Sequence, residues 1–168
     1  MRVNSRTFSV AAVSAVAVLG GAVGIATAVS GQSSTPQAAP SQATIIDVYK
    51  DPTCGCCSKW VEHLRNQGFT VRTTDKGDLD PFKASHHVPR QAQSCHTALV
   101  QGYVLEGHVP AGDVQRLLKE HPAIVGLAVP GMPIGSPGME MPGSKVQPYD
   151  VIAFDREGRT RVFAAHGR

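Results

Sequence analysis

Apolar and polar positions recur along this chain with two different periods, and each change of period marks an element. The run IIDVY (45–49), inside TIIDVYK (44–50), mixes β-branched and aromatic residues over a short span and predicts a buried strand. In SKWVEHLRNQG (58–68), Trp60, Val61 and Leu64 recur at helical spacing, with Gly68 placed to stop the helix. FTVRTT (69–74) alternates as a second strand, and the polar, turn-rich stretch 75–93 holds a short helical pattern around LDPFKAS. HTALV (96–100) and YVLEGHV (103–109) predict two strands joined at Gln101-Gly102, a pair suited to a tight hairpin turn. AGDVQRLLKEHP (111–122) sets Val114, Leu117 and Leu118 on one side of a helix that Pro122 ends. The segment 129–144 is rich in Gly, Pro and Met, has no period and predicts a loop. YDVIAFD (149–155) and RTRVFAA (159–165), around an REG turn, predict a second hairpin.

The order strand, helix, strand, variable segment, hairpin, helix is that of an α/β, thioredoxin-like domain, to which the last hairpin is an addition. This domain is expected to occupy residues 44–168, within the usual size of one hydrophobic core.

The segment before it has a different character. Arg2 and Arg6 precede an uncharged run, 8–29, which closes on the small residues ATA (26–28) and VSG (29–31). That pattern predicts an export signal over 1–30, removed by a signal peptidase. At 22 residues the run is long for a signal and long enough to span a bilayer, so an uncleaved N-terminal anchor is the alternative. Either outcome makes the protein periplasmic or otherwise exported, touching a membrane only through 8–29. Residues 31–43 are small and polar with two prolines and predict a flexible linker. Because Arg2 and Arg6 belong to the leader, the rest of the chain carries a formal charge of +1 rather than +3. With no basic run and one Trp, no nucleic-acid partner is expected.

The chemistry is concentrated in DPTCGCC (51–57), which holds three of the four cysteines directly after the first strand. If the following helix begins near Cys57 or Ser58, Cys54, Cys56 and Cys57 lie at its N-terminus, where unpaired N–H groups favour thiolates. In the predicted order the SCHT segment (94–97) enters the hairpin beside this loop and brings Cys95 and His96 to it. Four readings are open. Two structural disulfides, Cys54–Cys57 and Cys56–Cys95, suit an exported protein with an even cysteine count. A structural zinc site wants a second close ligand pair, and here the second half offers Cys95 with one or two histidines. A thiol–disulfide oxidoreductase needs only Cys54 and Cys57, which leaves Cys56 superfluous. A thiolate cluster for copper as Cu(I) uses all four sulfurs, and soft ligands select that ion; this reading is favoured.

Supporting residues follow from the same chemistry. His96 is the first additional ligand candidate and His108 the second. Met139 and Met141 flank Glu140 in the loop and offer thioethers for transient copper contact, whereas Met132 is assigned to packing. His86 and His87 are taken as solvated, His63 as an exposed helix residue, and His121 and His166 as surface residues. Trp60 is assigned to the core, and Glu106 either orients His108 or is a plain strand residue. No Ser/His/Asp triad, phosphate loop or hydrolytic carboxylate pair is present.

DPTCGCCSKWVEHLRNQGF, SCHTALVQGYVLEGHVPAGDVQRLL and GLAVPGMPIGSPGMEM, in that order, resemble the CopG-type periplasmic copper-resistance proteins. The resemblance runs over roughly 44–165. It implies a thioredoxin-like fold, a cysteine-bridged copper cluster on Cys54, Cys56, Cys57 and Cys95, and a setting beside copper-efflux components. His96 and His108 sit in matching motifs. The expected function is therefore an exported protein holding several Cu(I) ions in a multinuclear thiolate cluster, for copper tolerance by sequestration or relay. Its partners would be copper ions and copper-efflux or copper-chaperone proteins of the cell envelope. The alternative is a thiol–disulfide or copper oxidoreductase using Cys54 and Cys57.

Overall fold

A computed structural model describes residues 44–168; the expected leader and linker, 1–43, lie outside the described residues. The described residues form a mixed seven-stranded sheet with three helices. In chain order the elements are β1 (Ile45–Lys50), α1 (Gly55–Asn66), β2 (Thr70–Asp75), α2 (Asp80–Ser85), a 3-10 turn (Arg90–Ala92), β3 (His96–Val100), β4 (Tyr103–Glu106), α3 (Ala111–Glu120), β5 (Gly126–Ala128), β6 (Tyr149–Phe154) and β7 (Thr160–His166). The strands lie in the order β2-β1-β3-β4-β5-β6-β7. β1 and β2 are parallel, as are β4 and β5, and every other neighbouring pair is antiparallel.

Period-2 alternation sorts the strand residues onto two faces. Ile46, Val48, Ala98, Val100, Leu105, Leu127, Val151 and Ala153 pack with Trp60, Val61 and Leu64 of α1 and with Val114 and Leu117 of α3 in the main core. The alternate positions Leu99, Val104, Ala128, Ile152 and Phe154 pack with Val88 and Ala92 in a smaller second cluster. The chain around α2 and the 3-10 turn thus covers the sheet face opposite α1 and α3. Trp60 is fully buried, as expected for a core residue, and its indole N–H donates to the Val109 carbonyl at 2.9 Å.

The turns form where the residues allow them. Gln101 and Gly102 both take positive φ, 45° and 84°, which is the two-residue hairpin geometry whose twist matches the strands it joins. His121 ends α3 in the left-handed region, and its N–H bonds the Leu117 carbonyl at 3.0 Å.

Three local expectations change. α1 starts at Gly55, so Cys56 and Cys57 belong to its first turn and do not precede it. β4 stops at Glu106 because Gly107 turns with φ 69°, which leaves His108 beyond the strand end. The unassigned stretch before the long loop contains β5, a three-residue strand that no pattern reading separates from loop. β5 lies between β4 and β6, so the final hairpin continues the same sheet. Among the described residues no helix is long and apolar enough to cross a membrane.

Gly126 is required at the β4–β5 junction, because a Cβ there would lie 2.0 Å from the Val104 carbonyl oxygen. Gly126→Ala is expected to cost at least the about 1–3 kcal/mol of an overpacked core, since backbone cannot rotate aside. Urea denaturation of the two proteins measures the loss, and an unchanged midpoint would contradict this strand pairing.

Candidate metal centre

The four cysteines meet because β1 ends where β3 begins. Lys50, the last residue of β1, is the antiparallel partner of His96, the first of β3. The loop leaving β1 and the residue entering β3, Cys95, therefore share one end of the sheet. Asp51 shapes that loop: its carboxylate accepts from the Thr53 N–H at 2.7 Å and hydroxyl at 2.5 Å, and its carbonyl from the Cys54 N–H at 3.1 Å. The two Thr53 bonds hold the Asp51 carboxyl below its usual range. Cys54 caps α1, with Sγ accepting from the Cys57 N–H at 3.3 Å.

All four sulfurs lie within 4.8 Å of one another. Cys54 and Cys57 are joined by a disulfide, and Cys56 and Cys95 are free thiols. Of the two disulfides that the structural-disulfide reading requires, only the first is therefore formed. Cys56 Sγ is 3.5 Å from Cys54 Sγ, and Cys57 Sγ is 3.9 Å from the Cys95 carbonyl oxygen. Cys57 is fully buried and the other three are half-buried, so the cluster opens to solvent on one side.

Two imidazoles close the other side. Cys95 Sγ lies 3.1 Å from His108 Nε2 and 3.3 Å from His96 Nδ1, and the three residues form a second group of donors sharing Cys95. His108 Nδ1 donates to the Pro137 carbonyl at 2.7 Å, which fixes the tautomer and leaves the Nε2 lone pair facing the sulfur. His96 is fully buried, with its ring 4.4 Å from that of Trp60 at a tilt of 40° and edge-on to His108 at 5.0 Å. Its Nε2 has no hydrogen-bond partner, an unpaired polar atom inside a donor cluster.

Burial keeps Cys95 and both imidazoles uncharged. Burial, reinforced by the nearby Cys56, pushes the Cys95 thiol up to about 12. Burial, then the neighbouring His108 and Lys83, holds His96 well below its usual range, and burial lowers His108. At neutral pH both rings are therefore uncharged and hold the lone pairs that ligation needs.

The long loop covers the centre. Ser136, Pro137 and Gly138 are buried, and a Cβ on Gly138 (φ 84°) would lie 2.8 Å from both Cys56 O and Trp60 N. Gly138 thus lets the loop lie directly on the first turn of α1. Met139 follows it, half-buried; Met141 is 53 % exposed, on the open part of the same loop. Met132 is 51 % exposed instead of packed. His63 is half-buried instead of exposed, with Nε2 accepting from the Ala111 N–H at 3.1 Å where α3 begins. Glu106 is a strand residue, the last of β4, and does not orient His108. The partner of His108 is Pro137, and Glu106 is fully buried in an ion pair with Lys83 at 2.5 Å. Burial raises the Glu106 carboxyl, while Lys83, Thr97 and the Ser94 N–H oppose the rise. No signal in the sequence of the 75–93 stretch singled out Lys83.

This mixed α/β protein gathers four sulfurs and two neutral imidazoles into a site capable of holding a metal ion. The family described as "Protein of unknown function, DUF411" matches residues 92–139, which include Cys95, His96, His108 and the covering loop as far as Met139. Two solved structures titled "Copper resistance protein copG", Form 2 and Form 1, are similar to this chain at 42% and 43% identity. Each has a TM-score of 0.70 and covers 74% of this chain, which spans 99% and 98% of them respectively. No curated protein sequence matches. The chain belongs to the family of the CopG copper-resistance proteins.

In the disulfide form at pH 8, Cys95 is expected to react with iodoacetamide roughly 1000-fold more slowly than an ordinary exposed thiol, because so little of it is thiolate. Mass spectrometry of timed digests reads this, and equal labelling would refute the neutral-thiol assignment. Gly138→Ala is expected to lift the loop from α1 and to speed that labelling.

Proposed function

We propose that this protein is an exported copper-binding protein that holds several Cu(I) ions through Cys54, Cys56, Cys57 and Cys95, serving copper tolerance by sequestration or relay. The observation that carries the reading is the gathering of four sulfurs within 4.8 Å, with two neutral imidazoles against one of them. Sulfur at this density suits Cu(I), because bridging lets each thiolate serve two ions, while a single tetrahedral zinc would leave the imidazoles idle. His96 and His108 complete the donor set, and Met139 and Met141 serve as transient thioether contacts at its open side. Similarity to proteins titled for copper resistance supports the choice of metal.

The parallel β1–α1–β2 unit beside an antiparallel β3–β4 pair supports a thioredoxin-like core, with β6 and β7 as its added hairpin. Residues 1–30 act as export signal or anchor and 31–43 as linker, which the mass of the mature N-terminus tests. Copper-efflux or copper-chaperone proteins of the envelope are the proposed donors and acceptors.

The Cys54–Cys57 disulfide favours a second reading, a thiol–disulfide or copper oxidoreductase. Closing that bond releases two electrons and two protons from the dithiol, enough to take two Cu(II) to two Cu(I). Insulin-disulfide reduction by metal-free protein, and its loss in Cys57→Ser, tests the thiol-exchange form.

Reduced protein titrated anaerobically with Cu(I) against a chromophoric chelator is expected to bind more than one ion per chain. Cys56→Ser should lower that number, as should prior oxidation to the disulfide. Affinity should rise about tenfold per pH unit for each thiol proton displaced, because Cys95 stays protonated up to about 12. Zero stoichiometry, or binding indifferent to Cys56→Ser, would sink the cluster.

A further inference from the structure

The sheet face opposite α1 carries a polar cluster that the centre itself does not use. Lys83 of α2 is 4 % exposed, and Thr97 of β3 and Glu106 of β4 are completely buried. Thr97 and Glu106 are direct partners across the β3–β4 ladder. Glu106 Oε1 accepts from Lys83 Nζ at 2.5 Å and from the Ser94 backbone N–H at 2.7 Å. Its other oxygen accepts from the Thr97 hydroxyl at 2.6 Å, and that hydroxyl accepts from Lys83 Nζ at 3.0 Å.

One carboxylate therefore grips the chain at Ser94 and at Thr97, the residues on either side of Cys95 and His96. Between these two anchors lie only the two donor residues. The grip comes from behind: Thr97 and Glu106 face α2, while His96 faces Trp60 on the other side of the sheet. Ser94 is held further by its hydroxyl, which donates to the Gly131 carbonyl of the covering loop. Gly107 leaves it room, since a Cβ there would lie 2.5 Å from the Ser94 side chain.

Stability alone is a poor account of this arrangement. Desolvating both ions consumes most of what their attraction returns, and apolar side chains of the same volume commonly hold a core equally well. What apolar residues cannot supply is a set of directed bonds to Ser94 and Thr97. We propose that Lys83, Glu106 and Thr97 are positioning residues for copper binding, fixing the Cys95–His96 backbone so that both donors face the Cys54–Cys57 loop. The proposal rests on the copper-binding reading above.

The experiment compares wild-type protein with two double variants, each reduced and titrated with Cu(I) alone under anaerobic conditions. Lys83→Met/Glu106→Leu keeps volume and removes every acceptor that Glu106 offers. It is expected to keep the wild-type melting temperature, to weaken Cu(I) affinity about 10–100-fold, and to speed alkylation of metal-free Cys95 about tenfold. Lys83→Met/Glu106→Gln should restore both readouts, because an amide still accepts from the Ser94 N–H and donates to the Thr97 hydroxyl. Wild-type affinity and labelling in the Leu variant would overturn the proposal, as would failure of the Gln variant to rescue. Should the Leu variant not fold, Thr97→Val removes one anchor isosterically, and it must shift both readouts in the same direction for the proposal to stand. A wild-type protein that binds no Cu(I) would refute the proposed function instead, and Cys95 labelling then decides the positioning role by itself.

Discussion

The pairing of Lys50 with His96 is the constraint on which the rest depends. Because β1 and β3 run antiparallel, the exit of one strand and the entrance of the other occupy the same end of the sheet. Every sulfur of the centre hangs from one of those two ends. A shift of this register by one residue would turn His96 away from Trp60 and reverse the faces of Thr97 and Ala98. Cys95 would then lose either its imidazole neighbours or its approach to α1. The buried packing of Ala98, Val100, Ile46 and Val48 against α1 holds the register in place.

Around that junction the same sulfurs are open to two arrangements. Cys54 and Cys57 are joined as a disulfide, and both lie within 4.8 Å of Cys56 and Cys95, close enough for one ion to be shared. A sulfur engaged in a disulfide has no thiolate to give a metal, so oxidation state and metal capacity are linked by composition of the site. Burial adds a further condition. Cys95 and both histidines are neutral in the folded protein, so a cation arriving there must displace a proton from sulfur but none from the rings.

The remainder of the chain holds the junction from outside. The loop 129–144 reaches back over α1, supplying the Pro137 carbonyl that orients His108 and the Gly138 contact with the Cys56 carbonyl. α3 begins against His63, which ties the two core helices together. The final hairpin is anchored where His166 Nε2 meets Asp113 Oδ2 at 2.7 Å and the Arg116 guanidinium stacks on Phe163 at 3.7 Å. These links join the outer half of the sheet to α3, and through α3 to the helix that carries the thiols.

The periods of the sequence determined the strands β1, β2, β3, β4, β6 and β7 and the helices α1 and α3, because each buries one face locally and writes that face into its own residues. The thiol trio and its helix-proximal setting were legible for the same reason, all within seven positions. Other features required the folded chain. β5 is too short to show a period, and its buried Gly and Ala mark a close approach to β4 and not an apolar stripe. Glu106 read as a strand residue or a partner of His108, since nothing local reveals that Lys83, 23 residues earlier, crosses the opposite face to meet it. The bond from His108 to Pro137 spans 29 residues, and that Cys56 and Cys95 stay free beside the Cys54–Cys57 pair marked by the spacing is decided by the fold. Local burial is encoded residue by residue, whereas partnership across the sheet depends on register and on which face a distant segment covers, and only tertiary packing decides those.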